Sequence, residues 1–253
     1  MENILTGKNI MKIFGEKGEE IKALDKVSVS ISKGEFVAVM GASGGGKSTL
    51  LFALSGMDDI TSGSVKFNEI ELSGLNDKQL ADIRRTKMGF VFQQPTMLKN
   101  LNLLDNIILP VAQNRAGMSL EQVDQKARKL MKKTGIENLE NRDITQVSGG
   151  QLQRAGICRA LMSSPEILFA DEPTGALNSK ASEEIMDLLS DINNDGTAIL
   201  LVTHDVKVAA RASRVLFMKD GKIISEIQLN KFNSHKIGSR ADSILIHAQQ
   251  IGI

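Results

Sequence analysis

Residues 36–54 read Phe36-Val37-Ala38-Val39-Met40-Gly41-Ala42-Ser43-Gly44-Gly45-Gly46-Lys47-Ser48-Thr49-Leu50-Leu51-Phe52-Ala53-Leu54. Gly41–Ser48 matches the pattern G-x-x-x-x-G-K-[ST] in full. The apolar run before it predicts a buried strand, and Thr49–Leu54 predicts the opening of a helix. Strand, loop and helix are the context in which this pattern binds phosphate. Glycines let the backbone curl until successive N–H groups point inward at phosphate oxygens. The helix N-terminus adds partial positive charge. Lys47 reaches β- and γ-phosphates, and the Ser48 hydroxyl is a ligand for Mg²⁺. Gly41, Ala42, Ser43, Gly44, Gly45, Gly46, Lys47, Ser48 and Thr49 are therefore the expected phosphate-binding set, and a nucleoside triphosphate is the expected ligand.

The chain has 253 residues, enough for one large α/β domain or a domain with a subdomain. With 42% apolar and 24% charged residues it reads as a soluble globular protein, not a disordered one. The net charge of +1 creates no bulk field toward nucleic acid or an anionic membrane. Arg84-Arg85-Thr86-Lys87, and Lys129 with Lys132-Lys133, read as solvated helix faces. The single cysteine, Cys158, excludes an internal disulfide and reads as a small buried helix residue in a reducing compartment. Met1–Leu5 does not read as a signal peptide. No apolar stretch nears the roughly 18 residues of a membrane span, so any spanning part is expected from another chain.

Short β-rich runs open the chain at Asn9–Ile13, Val27–Ile31 and Phe36–Met40, and return at Ser64–Phe67 and Met88–Phe92. From about Leu103 to Leu161 the pattern is mostly helical, with Val123, Ala127, Leu130 and Met131 at core-facing spacing. Ile167–Ala170 and Ala198–Val202 are apolar throughout, as in strands covered on both faces of a parallel sheet. A helix over Ala181–Ile192 lies between them, and Val215–Met218 with Lys222–Ile224 predicts a closing hairpin.

Three further signals join the loop. Ile167–Ala170 ends abruptly in Asp171-Glu172. Ligands of open α/β sheets bind at the carboxyl ends of strands, so Asp171 should emerge beside the loop and hold Mg²⁺. Glu172 is then placed to orient or deprotonate a water. Ser148-Gly149-Gly150-Gln151 offers a capping serine and an open helix N-terminus, a second anion site or a simple cap. His204, after the run Leu200–Val202, should reach the same sheet edge.

Gly41–Ser48, Gln93, Ser148–Gln151, Asp171–Gly175 and Thr203–Asp205 occur in the order found in the ATP-binding-cassette (ABC) ATPases, which the chain resembles over about residues 5–230. Ala170–Gly175 and Gly89–Gln93 look most like the transporter subgroup of LolD, MacB and the Bce-type peptide-resistance ATPases. The resemblance implies an α/β fold: a P-loop NTPase cassette with a RecA-like core sheet, an N-terminal antiparallel β subdomain and an inserted helical subdomain. The cassette would span 1–230, with the helical part at about 95–163 and a tail at 231–253.

The resemblance also implies a head-to-tail dimer that sandwiches two ATP molecules with Mg²⁺. Ser148, Gly149, Gly150 and Gln151 of one copy would meet the γ-phosphate held by the other. Gln93 would sense Mg²⁺ together with Ser48 and Asp171. Glu172 would be the catalytic glutamate and His204 the switch histidine. Phe14 would stack on adenine where tyrosine is usual. A membrane permease would dock at the groove beside Gln93–Leu104, on the cytoplasmic face of a bacterial membrane, and no nucleic acid is expected. The cargo class is antimicrobial peptide, drug or lipid-linked substrate; an FtsE-like or Bce-type signalling ATPase is the alternative.

Two positions depart from the family pattern. Gly45 replaces a serine, loosening the loop by about 0.5–1 kcal/mol. Asn178 replaces an aspartate, which keeps hydrogen bonding but removes a charge, with slower hydrolysis or altered coupling between the two sites as the alternatives. In the tail, Ile244, Leu245, Ala248 and Ile251 line one face of a short helix that either docks or frays.

Overall fold

The computed structural model describes residues 2–16, 19–112, 117–232 and 236–252. The first elements are β1 (Asn3–Phe14), β2 (Ile21–Ser32), β3 (Phe36–Met40), α1 (Lys47–Leu54), β4 (Ser62–Phe67) and β5 (Ile70–Glu71). Then come α2 (Asp77–Lys87), β6 (Met88–Phe92), α3 (Leu103–Ala112), α4 (Leu120–Lys133) and α5 (Gly149–Leu161). The chain continues through β7 (Ile167–Asp171), α6 (Ser179–Asn194), β8 (Ala198–Val202) and α7 (Val206–Ala209). It closes with β9 (Arg214–Lys219), β10 (Lys222–Gln228) and α8 (Ile237–Gln250).

Two sheets form. The outer one is antiparallel, in the order β2-β1-β4-β5. The central one has the order β10-β9-β3-β8-β7-β6, parallel except for β10. Side chains alternate across a strand, so an apolar run can feed two cores. Val37, Val39, Phe169, Leu200 and Val202 face α1 and the outer sheet. Ala38, Met40, Leu168, Ala170, Ile199 and Leu201 face α6, α7 and α8. Helix α1 is wedged between the sheets through Leu50, Leu51, Ala53 and Leu54, all buried.

Helices α3, α4 and α5 own a third core around Leu103, Ile107, Val123, Ala127, Met131, Ala155 and Cys158. Leu130, on the expected stripe, is only partly buried. Burial pushes the Cys158 thiol up to about 12, which makes it inert at neutral pH. The basic run Arg84–Lys87 closes α2, a helix with no buried residue, capped by Asn76 and Gln79. Among the described residues, no helix is long and apolar enough to cross a membrane.

Helix α8 packs on the face that holds α6 and α7. Ile244 is fully buried, and Ile237, Ala241, Ala248 and Ile251 pack around it. Leu245 leaves this stripe and stays 45% exposed, a correction to the expected face. The cause is the phase of the helix: 237, 241, 244, 248 and 251 already complete the stripe, and 245 falls to its side.

Gly89 lets α5 approach β6. A Cβ there would sit 2.9 Å from the Ala160 carbonyl oxygen and 2.3 Å from Leu168 Cδ2. Gly89→Ala is expected to destabilise the fold by about 1–3 kcal/mol, because the Ala160 contact is to helix backbone. Urea unfolding would measure this, and an unchanged midpoint would contradict it.

Candidate nucleotide site

Parallel pairing brings the site together. Val39 pairs with Val202, Val202 with Asp171, and Asp171 with Phe92. The residues that follow therefore leave the sheet along one edge: the Gly41 loop, Thr203-His204, Glu172 and Gln93.

Helices α2, α4, α5 and α6 begin with a side-chain cap, from Asn76, Ser119, Ser148 and Asn178. Helix α1 has none; Gly46 precedes it in the left-handed region at φ 93°. Its first N–H groups are left for an anion. A Cβ on Gly46 would meet the Ala23 carbonyl at 2.4 Å, so the bend is closed to other residues. Gly45 differs: its φ is ordinary, and a Cβ there would lie 3.1 Å from the Ala42 carbonyl. The backbone at 45 thus has nearly room for the usual serine and does not demand glycine. Lys47 Nζ donates to the carbonyls of Gly41 at 2.9 Å and Ala42 at 2.8 Å, which holds the ammonium over the loop.

Ser48 Oγ donates to Asp171 Oδ1 at 3.0 Å. Burial pushes the Asp171 carboxyl above its ordinary range. The Ser48 hydrogen bond opposes this, the Glu172 charge adds to it, and Lys47 opposes it. No cluster of three His, Cys, Asp or Glu among the described residues could hold a metal alone. One hydroxyl beside one carboxylate nevertheless fits Mg²⁺, which takes few protein ligands and fills the rest with phosphate and water.

Glu172 adopts φ 46°, a left-handed conformation that is costly for a residue with a side chain. Its N–H donates to the Val202 carbonyl at 2.9 Å. The carboxylate accepts from Thr203 Oγ1 at 3.3 Å and pairs with His204 Nδ1 at 2.7 Å. Thr203 is buried and also accepts from the Asp205 N–H at 3.0 Å. Asp205 in turn caps α7 through the N–H groups of Lys207 and Val208. The role of Thr203 in holding Glu172 went unread in the sequence; its only signal is a hydroxyl directly after a buried strand.

Gln93 lies against Gly175, where a Cβ would be 2.9 Å from its Nε2, and among the described residues it makes no hydrogen bond to Ser48 or Asp171. Phe14 ends β1, 45% exposed, with Lys12 Nζ 4.8 Å from the ring centroid. Asp58 and the Asp59 carbonyl pin that ammonium at 2.6 Å each.

Ser148 Oγ accepts from the Gln151 N–H at 3.3 Å while Gln151 Oε1 accepts from the Ser148 N–H at 2.8 Å. The cap leaves the serine O–H proton free to turn to an anion. Ser148, Gly149, Gly150 and Gln151 line a cavity of about 600 Å³ together with Arg154 and Asn178. None of residues 41–49 lines it. Asn178 Oδ1 accepts from the Ala181 N–H at 2.9 Å, so the departure from aspartate keeps the α6 cap and loses only the charge.

This architecture defines the class: a P-loop nucleotide-binding domain with an inserted helical subdomain. Residues 24–175 match the ABC transporter family, and the chain belongs to that family. It is 42% identical over 226 residues to the macrolide export ATP-binding/permease protein MacB of Mannheimia succiniciproducens, covering 89% of this chain and 35% of that protein. The chain thus spans about a third of the length of its MacB relatives. It is 42% identical to the ABC transporter ATP-binding protein MJ0796 of Methanocaldococcus jannaschii, covering 89% of this chain and 97% of that one. It is 39% identical to the bacitracin export ATP-binding protein BceA of Halalkalibacterium halodurans, covering 88% of each. The dimeric structure of MJ0796 bound to ADP and Pi has a TM-score of 0.83 and 41% identity, covering 90% of this chain and all of that one.

Asp171 yields a prediction with a definite sign. Its carboxyl is raised in the folded state, so its charged form opposes folding at neutral pH. Asp171→Asn should raise the Tm of the nucleotide-free protein at pH 7. The gain should shrink as pH falls through the raised folded value, where the native carboxyl becomes neutral. Thermal unfolding between pH 4 and 7 would check this; a lower Tm at pH 7 would contradict it.

Proposed function

We propose that the chain is the ATP-binding and ATP-hydrolysing subunit of an ABC transporter that drives a separate membrane permease from the cytoplasmic face. The observation that carries this reading is the Glu172–His204 pair beside Ser48–Asp171, at the mouth of the uncapped helix α1. Export of antimicrobial peptides or drugs is the cargo class favoured by the similarity to MacB and BceA, which are named as export proteins.

The loop amides and Lys47 hold the phosphates of ATP, while Ser48 and Asp171 hold Mg²⁺, with Gln93 reaching the same ion as the site closes. Bound Mg²⁺ neutralises charge on the β- and γ-phosphate oxygens. Glu172 accepts a proton from water as the water oxygen bonds to the γ-phosphorus and the bond to the bridging oxygen breaks, giving ADP and phosphate. His204 and Thr203 fix the carboxylate that takes that proton. Phe14 stacks on the adenine through its exposed face.

The signature group, Ser148–Gln151, serves a second copy. Its cavity excludes residues 41–49 of its own chain, which supports a γ-phosphate delivered by the partner's loop. A cleft of about 330 Å³ between α2, β6, α3 and α5, lined by Met57, Phe90, Phe92 and Pro110 with Arg84 and Arg159, supports docking of a permease segment.

Glu172→Gln should bind ATP normally, lower hydrolysis by about 10²–10⁴-fold, and accumulate as an ATP-bound dimer on size-exclusion chromatography. Hydrolysis at the parental rate would remove Glu172 from the proposed role.

A further inference from the structure

Helix α8 lies beyond the residues that match the family, yet it is anchored behind the proposed hydrolytic pair. Arg240 is buried and spends its guanidinium on backbone carbonyls: Nε to Ala210 at 2.7 Å, Nη2 to Ala212 at 2.5 Å and Nη1 to Asn230 at 2.6 Å. The Phe232 ring lies 5.7 Å from this guanidinium and 4.6 Å from that of Arg211. Ala210 and Ala212 follow the C-terminal end of α7, where carbonyls lack helical donors and a cation is favoured.

Helix α7 is one turn, Val206–Ala209, and its N-cap Asp205 is the residue after His204. A clamp at one end of so short an element fixes the other. A second link is spatial: His204 shares a cavity of about 450 Å³ with Leu245, Ala248 and Gly252 of the α8 segment, and with Gly41 and Ala42 of the phosphate loop. The far end of α8 is tied as well. His247 Nε2 and Ser225 Oγ lie 2.7 Å apart, the His247 ring packs 5.1 Å from Phe217, and Lys219 Nζ donates to the Gly252 carbonyl at 3.2 Å.

We infer that Arg240 is a positioning residue for hydrolysis: through α7 it sets where His204 stands, and so how the Glu172 carboxylate is held. This rests on the reading of Glu172 and His204 as the hydrolytic pair. Helix α8 then governs turnover without touching nucleotide.

The test uses the full chain and compares Arg240→Gln, Arg240→Lys and Ala248→Leu, which fills the shared cavity while keeping the clamp. Steady-state hydrolysis gives kcat and KM, and the imidazole NMR signal of His204, assigned with His204→Ala, reports its position. Arg240→Gln should lower kcat about tenfold with KM nearly unchanged, the signature of lost alignment and not of lost binding. It should also move the His204 signal, and Arg240→Lys should restore most of both. Ala248→Leu should move the same signal and lower kcat through the shared cavity, and if Arg240→Gln does not fold, Arg240→Lys decides, since its single ammonium cannot span the three carbonyls and kcat and the His204 signal should still depart measurably from the parent. Folded variants that bind ATP but keep the parental His204 signal overturn the inference, as does a parental kcat. If His204→Ala hydrolyses at the parental rate, the hydrolytic-pair reading fails instead, and the His204 signal in Arg240→Gln still judges the positioning claim.

Discussion

Backbone hydrogen bonds hold the carboxyl ends of β3, β8, β7 and β6 level, and the contacts among the phosphate loop, Asp171, Glu172, Thr203 and His204 follow from that register. Ser48 and Asp171 are 123 positions apart in the chain yet meet at 3.0 Å, because the strands before them are separated by β8 alone. Period-2 alternation in a parallel ladder means that a slip of one residue would exchange the two buried faces. Both faces are buried and apolar, with Val37, Val39, Leu200 and Val202 on one side and Ala38, Ile199 and Leu201 on the other, so such a slip would repack both cores.

The site departs from the relaxed geometry around it. Glu172 sits at positive φ, Asp171 is half-buried with its carboxyl raised, and α1 starts without a side-chain cap. Each is unfavourable in isolation, and the three stand side by side. Binding sites concentrate such features because a ligand supplies the missing charge or acceptor. The wedge of α1 between two sheets makes them tolerable, since the helix is held by Leu50, Leu51 and Leu54 and not by its own N-terminus.

Helices α3, α4 and α5 share a core of their own, while α5 also gives Ile157 and Ala160 to the core beneath α6 and the central sheet. Gln153 Nε2 donates to the Phe92 carbonyl at 3.0 Å, one residue before Gln93. Arg154 reaches both the Thr134 carbonyl and Glu184 of α6. These ties run from the signature helix α5 to the strand end before Gln93 and to the helix that Asn178 caps.

The sequence by itself determined the phosphate loop, the apolar strands, the acid pair and the family resemblance, because these depend on residue type at fixed short spacing. Gly41–Ser48 needs no distant partner to be read, and an apolar run such as Ala198–Val202 announces burial on both faces. Only the basic end of α2 was legible as a helix face, because the helix has no fully buried residue and rests on the core through Leu80 and Ile83 alone, too short a stripe to mark its span. Leu245 was placed on the wrong side because a short tail allows several phases, and only the neighbouring α7 selects one. Thr203 beneath Glu172, the capping function kept by Asn178, and the Arg240 clamp were decided by tertiary structure alone. The Thr203 and Arg240 bonds join residues far apart in the chain, so no local pattern encodes them, whereas the Asn178 cap is a local bond to the Ala181 N–H that only the observed start of α6 identifies.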